Sequence, residues 1–207
     1  MTSRSRTGRE SNVQSQVTAR AKAQHTRRRY RLAAWAGTLV LIAAVVTAAL
    51  LTSRQATSTT QRQAPGFTLL TTAGSTVSLS DYRGRPVILY FNEGAGCGSC
   101  SLQLAGIEEQ KEAFDKAGLT VLPIVMNTRE QIQPDLDQYG VTTPVLLDDG
   151  TVSKAYGTLG KGMHAGLPGH SFVLINTEGK QIWYSDYPSM WLQPQELLAE
   201  ATARLRS

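Results

Sequence analysis

The sequence predicts an α/β sandwich with a central mixed sheet, preceded by one N-terminal transmembrane helix. Short apolar runs alternate with stretches of helical periodicity, which is the order expected of an α/β domain. Two late apolar runs flank a glycine-containing turn and predict an antiparallel hairpin. Residues 32–51 are a run of 20 residues without a charge, long enough to cross about 30 Å of hydrocarbon as a helix. The 207 residues suffice for one ordinary domain and a tail.

The first 31 residues form a basic, polar tail that we expect to be disordered. They contain nine Lys and Arg residues and one Glu, so the rest of the chain is net negative, although the whole chain carries +5. No nucleic-acid-binding surface is therefore expected in the remainder. Because basic flanks stay in the cytoplasm, we expect a single-pass signal anchor at the cell membrane, with a cytoplasmic N-terminus and an extracytoplasmic domain. A cleaved signal peptide is the alternative.

A polar linker is predicted at residues 52–63 and a folded domain at residues 64–207. The linker is rich in Ser, Thr and Gln and is expected to be flexible. The predicted strands are Phe67–Leu70, Thr76–Leu79, Pro86–Asn92, Leu119–Met126, Pro144–Asp148, Ser171–Asn176 and Gln181–Ser185. The predicted helices are Cys100–Ala117, a segment opening at Thr128 that Pro134 kinks or restarts, Val152–Tyr156, and a last one opening at Pro194.

The two cysteines of the chain, Cys97 and Cys100, have C-x-x-C spacing between a buried strand and a helix. A helix N-terminus carries a partial positive charge, so a thiolate at Cys97 would be stabilised there. Cys100, one turn later, could attack a mixed disulfide at Cys97 without leaving the helix. Two cysteines are too few for a disulfide framework, so the pair indicates redox chemistry.

The motif and its flanks resemble the thioredoxin-like superfamily, in its membrane-anchored redoxin and peroxiredoxin-like branches (AhpC/TSA-type and TlpA-like). The similar stretches are Ala64–Phe67, Val77–Pro86, Pro144–Gly150 and Phe172–Lys180. The resemblance implies a thioredoxin-like α/β/α sandwich and a thiol–disulfide oxidoreductase, with no cofactor. Its partners would be protein thiols or disulfides, or a membrane electron donor. The oligomeric state does not follow from the sequence.

The sequence departs from typical peroxiredoxins ahead of Cys97. Those proteins have proline seven residues and threonine three residues before the reactive cysteine, where this chain has Tyr90 and Gly94. The threonine would orient the peroxide, so thiol–disulfide exchange is the main interpretation and a thiol-dependent peroxidase is the alternative. The cis-proline of thioredoxins would fall at Gly169, and Pro168 could take its place with a shift of one residue.

Further site residues are predicted around the cysteines. Glu93 could accept the proton of Cys100 during exchange, or it could be a solvated loop charge. The residues predicted to contact substrate are Gly94, Gly96, Pro168, Gly169 and His170, with His170 at the rim of the site or in a polar loop.

A copper(I)-handling protein is a further alternative, because thiolates suit soft metals. Its ligands would be Cys97 and Cys100 with one of the histidines, and methionines as soft additions: His164, His170, Met163 and Met190. Haem attachment is excluded because Ser101, and not histidine, follows the second cysteine. The main interpretation includes no metal.

Overall fold

The computed structural model describes residues 35–48, 56–160 and 165–206, and the chain divides into two units between residues 54 and 55. In the first unit, residues 35–48 form helix α1. None of the helices within the described ranges combines the length and the apolarity needed to cross a membrane. The predicted tail lies outside the described residues, as do both ends of the predicted span 32–51. The span and its topology therefore stay predictions.

The second unit is built on a nine-stranded mixed sheet in the order β1-β9-β8-β5-β6-β7-β3-β4, with β2 also paired to β9. The strands are β1 Thr57–Ser58, β2 Arg62–Gln63, β3 Thr68–Thr71, β4 Thr76–Ser78, β5 Val87–Phe91, β6 Thr120–Val125, β7 Leu146–Leu147, β8 Ser171–Ile175 and β9 Lys180–Asp186. The helices are α2 Gly98–Glu109, α3 Lys111–Lys116, α4 Arg129–Tyr139, α5 Thr151–Tyr156 and α6 Pro194–Arg206, with a 3-10 turn at Leu79–Tyr82. The pairs β5–β6 and β6–β7 are parallel, and the remaining pairs are antiparallel.

Strand β5 lies inside the sheet and every one of its residues is buried. Ile88 and Tyr90 face the core that α2, α4 and α6 cover, whereas Leu89 and Phe91 face the core that includes Tyr156 of α5. Two covered faces explain why the strand is a continuous apolar run in the sequence. The predicted sandwich with a central mixed sheet is confirmed, and each predicted strand is recovered to within two residues at either end.

The predicted helix Cys100–Ala117 is instead two helices that meet at Gln110. This residue has φ −97° and ψ 9°, which ends α2, and its carbonyl accepts the first hydrogen bonds of α3. Gln110 carries no helix-breaking signal, so periodicity alone does not reveal the break. The predicted apolar stripe is nevertheless buried, at Cys100, Leu104, Ile107 and Phe114.

Helix α4 begins as predicted. Thr128 is its N-cap and forms a capping box with Gln131. Pro134 lies inside the helix and does not divide it.

The predicted linker differs from the structure over residues 56–63. They form β1 and β2 along β9, with Thr57 opposite Ser185 and Arg62 opposite Gln181. The Arg62 Nε donates a hydrogen bond to Gln181 Oε1 at 2.9 Å. Without β1 and β2, the backbone N–H and C=O groups on the outer edge of β9 would lack these pairing partners. This is the physical reason why residues 57–58 and 62–63 form strands.

Candidate active site

Cys97 and Cys100 form a disulfide at the N-terminus of α2, and their Cα atoms are 5.3 Å apart. Cys97 is the N-cap residue, and its sulfur accepts a hydrogen bond from the backbone N–H of Cys100 at 3.3 Å. Cys97 is half-buried, whereas Cys100 is fully buried. The predicted placement of the pair at a helix N-terminus is confirmed, and of the two residues only Cys97 is partly exposed.

The loop that precedes Cys97 is held by three side chains. Asn92 Oδ1 accepts from the backbone N–H of Gly94 at 3.1 Å, and Asn127 Oδ1 accepts from that of Ala95 at 3.0 Å. Asp135 Oδ2, on α4, accepts from the backbone N–H of Gly96 at 2.6 Å. These three side chains fix the approach of the chain to Cys97.

Sequence reasoning missed Asn127 and Asp135. A signal for Asn127 was present, because it follows β6 and β6 runs parallel to β5. The carboxyl ends of parallel neighbours lie at one edge of a sheet, so residues after both strands meet there. Asp135 lies eight residues after Asn127, within α4, and no local pattern distinguishes it from the other acidic residues of that helix.

The glycines of the loop shape it through their backbone conformation. Gly94 has φ +77°, and a Cβ built there would lie 1.8 Å from Asn127 Oδ1. Gly96 has φ +84° with open space around the Cβ position. Gly98 faces Tyr139, whose hydroxyl oxygen would lie 2.8 Å from a Cβ. A threonine cannot therefore occupy position 94 while Asn127 holds the loop.

Glu93 is half-buried in the same loop. Burial, and secondarily the negative charge of Glu93, raise the pKa of the Tyr90 phenol well above its usual value. Tyr90 therefore stays neutral and can donate a hydrogen bond. A role of Glu93 as proton acceptor for Cys100 stays a prediction.

His170 is buried, so its predicted place at the rim of the site is wrong. Its Nδ1 lies 3.0 Å from the Tyr90 hydroxyl, and its Nε2 lies 3.3 Å from Gln103 Oε1. Because Gln103 Oε1 also accepts from the backbone N–H of Leu192 at 2.8 Å, His170 must donate through Nε2 and accept at Nδ1. Burial lowers the pKa of His170 to about 4, so the ring is neutral near pH 7.

Pro168 and Gly169 lie in the segment before β8. Strand β8 begins at Ser171, which pairs with Phe91 at the end of β5, so this segment reaches the same edge of the sheet as Cys97. Pro168 is buried, and the Gly169 N–H donates to the Thr158 carbonyl at 2.8 Å. No peptide bond in residues 35–48, 56–160 or 165–206 is cis, so the cis-proline assignment of Pro168 is wrong. Substrate contact by these residues stays a prediction.

Two of the suggested copper ligands, Met163 and His164, lie outside the described residues. Within the part that the structure describes, no group of three or more His, Cys, Asp or Glu side chains is arranged to hold a metal ion.

Residues 60–183 match the model of the AhpC/TSA family. The candidate peroxiredoxin Rv2521 of Mycobacterium tuberculosis is 39% identical over 100 residues, which are 48% of this chain and 64% of that protein. The chain thus spans less than two thirds of that relative. Peroxiredoxin Q of Sedum lineare is 29% identical over 145 residues, 69% of this chain and 75% of the relative.

Among solved structures, a candidate protein disulfide isomerase from Bacteroides thetaiotaomicron superimposes with a TM-score of 0.55. It is 26% identical, and the match covers 70% of this chain and 89% of that protein. The family model spans residues 60–183, which is more than half of the chain. The chain therefore belongs to the AhpC/TSA family and has its thioredoxin-like α/β fold.

Proposed function

We propose that the chain is a thiol-dependent peroxidase in which Cys97 is peroxidatic and Cys100 is resolving. Family membership and the relatives named as peroxiredoxins support this proposal. The observation that carries it is the unequal exposure of the two cysteines. Cys97 is partly exposed, whereas Cys100 is buried in α2 and bonded to Cys97.

The chemistry proceeds in three balanced steps. The Cys97 thiolate attacks one peroxide oxygen, the O–O bond breaks, and Cys97 becomes a sulfenic acid. The leaving oxygen takes up a proton equivalent to the one that Cys97 lost on ionising and departs as water or an alcohol. The Cys100 thiol then attacks the Cys97 sulfur, which releases water and forms the disulfide. An external dithiol supplies two electrons and two protons and restores both thiols.

Thiol–disulfide exchange with other proteins is the second candidate, and Gly94 favours it. The loop offers no hydroxyl at that position to orient a peroxide, and Asn127 leaves no room for one. Similarity to a candidate protein disulfide isomerase supports the same reaction. Its partners would be protein thiols and disulfides, or an electron donor in the membrane.

Peroxide consumption by the full chain with dithiothreitol as the reductant tests the peroxidase. Saturable consumption that Cys97→Ser abolishes is the expected result. Reduction of insulin disulfides without peroxide turnover would replace the peroxidase by the second candidate. If neither reaction depends on Cys97, both proposals fail.

We also propose that residues 32–51 anchor the chain with its redox domain outside the cytoplasm. The charge-free run and its basic flank support this topology. Protease added to intact cells should remove the domain and spare the N-terminal tail. A domain that stays protected until the cells are lysed would contradict the proposal.

A further inference from the structure

Asp135 contacts the backbone of the residue that precedes the reactive cysteine. Its Oδ2 accepts from the N–H of Gly96 at 2.6 Å, and Gly96 directly precedes Cys97. Asp135 is half-buried and belongs to α4, which packs against α2. The carboxylate is therefore held at the helix end that carries Cys97.

The charge of this carboxylate opposes what a helix N-terminus does for a thiolate. Free backbone N–H groups and the partial positive charge at the start of a helix stabilise an anion there. Asp135 accepts from the N–H of Gly96, which directly precedes the N-cap Cys97, and so places negative charge near the same helix end. A Cys97 thiolate is therefore less stabilised than it would be beside an uncharged residue.

Other ionisable groups surround the pair from each neighbouring element. Glu93 lies in the loop before the cysteines, and Tyr139 lies on α4 against Gly98. Tyr90 of β5 and His170 before β8 form the buried hydrogen-bonded pair on the α2 side of the sheet. Of these groups, Asp135 is the one whose carboxylate accepts from the backbone of the residue next to Cys97.

We propose that Asp135 is a positioning residue that biases the Cys97–Cys100 pair toward the disulfide. Reduction of the disulfide adds two electrons and two protons, and ionisation of Cys97 then stabilises the reduced form. Negative charge at Asp135 opposes that ionisation and so disfavours the dithiol. This inference rests on the dithiol–disulfide cycle of the proposed function, whichever substrate the cycle serves.

The test is the redox equilibrium of the full chain with dithiothreitol, comparing wild type with Asp135→Asn. The amide oxygen can still accept from Gly96, so this variant removes the charge and keeps the contact. We expect the equilibrium constant to shift about threefold to tenfold toward the dithiol, where tenfold corresponds to about 30 mV for a two-electron couple. The pH profile of Cys97 alkylation by iodoacetamide should move to lower pH.

Asp137→Asn is the matched control. Asp137 lies two residues further along α4, is exposed, and accepts from Gln133 Nε2 at 2.8 Å. We expect no shift from it. The difference between wild type and Asp135→Asn should also shrink in 1 M salt, because Asp135 is only half-buried and salt screens charges that solvent reaches.

The outcomes separate this inference from the function on which it rests. If Asp135 serves only to hold the loop, Asp135→Ala alters the equilibrium and Asp135→Asn does not, and the inference is overturned. A shift toward the disulfide in Asp135→Asn would overturn it equally. If the wild-type disulfide resists dithiothreitol altogether, the proposed dithiol–disulfide cycle fails instead.

Discussion

The Tyr90 hydroxyl lies 3.0 Å from Nδ1 of His170 and joins the buried centre of β5 to the residue before β8. The ring of Tyr90 also stacks on Phe172, with 4.7 Å between centroids. Through Nε2, His170 reaches Gln103 on α2, three residues beyond Cys100. The network thus ties the sheet to the helix that carries both cysteines.

Stability should fall with acid through His170. Its pKa is about 4 in the folded chain and 6.5 in the unfolded chain, so the unfolded chain binds more protons between these values. The free energy of unfolding therefore has its full His170 contribution above about pH 6.5 and loses it as the pH falls toward 4. The loss is about 3 kcal/mol at most. Denaturant titrations of wild type and His170→Gln over pH 4–7 measure it. If the free energy of unfolding depended on pH equally in both proteins, the loss of stability in acid would not come from His170.

Removal of the Tyr90 hydroxyl should destabilise the fold. In Tyr90→Phe, Nδ1 of His170 is left as an unpaired acceptor in a buried position, which costs about 1–3 kcal/mol. Chemical denaturation measures the loss. Tyr82→Phe, at the opposite end of the sheet and half-buried, is the control and should change stability by less. A Tyr90→Phe variant as stable as wild type would show that the hydrogen bond contributes nothing.

Replacement of Gly94 by threonine, the residue that typical peroxiredoxins have at this position, should lower stability without raising peroxidase activity. A side chain at Gly94 combines a left-handed backbone with a clash against Asn127 Oδ1. We expect Gly94→Thr to lose at least about 2 kcal/mol. Gly96→Ala has a similar φ but open space, so it isolates the backbone cost of about 1 kcal/mol. Faster peroxide turnover in a stably folded Gly94→Thr would contradict our explanation of why this chain has no threonine at position 94.

Gly98 and Tyr139 should be energetically coupled. In Gly98→Ala the new Cβ meets the Tyr139 hydroxyl at 2.8 Å, whereas alanine otherwise suits a helix better than glycine by about 1 kcal/mol. We expect Gly98→Ala to destabilise wild type and to be neutral or stabilising in a Tyr139→Phe background. A double-mutant cycle of unfolding free energies gives the coupling. Additive effects would mean that the tyrosine moves aside freely.

Most of the fold could be predicted from the sequence, because the patterns that specify its strands and helices are local. Continuous apolar runs such as Val87–Phe91 specify buried strands, and the capping box at Thr128 marks the start of α4. The break at Gln110 and the pairing of β1 and β2 with β9 depend on tertiary contacts. No periodicity in the sequence encodes them.

The candidate site was predicted only in part for the same reason. The cysteine pair is one local motif, so its helix N-terminal position could be inferred directly. Asn127 and Asp135 reach the site from separate elements. Asn127 lies close to the loop before Cys97 only because β6 pairs in parallel with β5. For His170 the sequence left two alternatives, the rim of the site and a polar loop, and neither predicts a buried side chain. Its burial depends on Tyr90 and Gln103, which satisfy both ring nitrogens.

The full burial of Cys100 has a consequence for oxidative damage. Sulfinic and sulfonic acids form on thiolates that an oxidant can reach, and they are not reversed by thiols. In a folded chain such injury is confined to Cys97, since the Cys100 sulfur has no exposed surface. If the chain is the peroxidase proposed above, its working lifetime under excess peroxide is set by two competing reactions at the Cys97 sulfur. Either Cys100 closes the disulfide first, or a second oxidant molecule reaches Cys97.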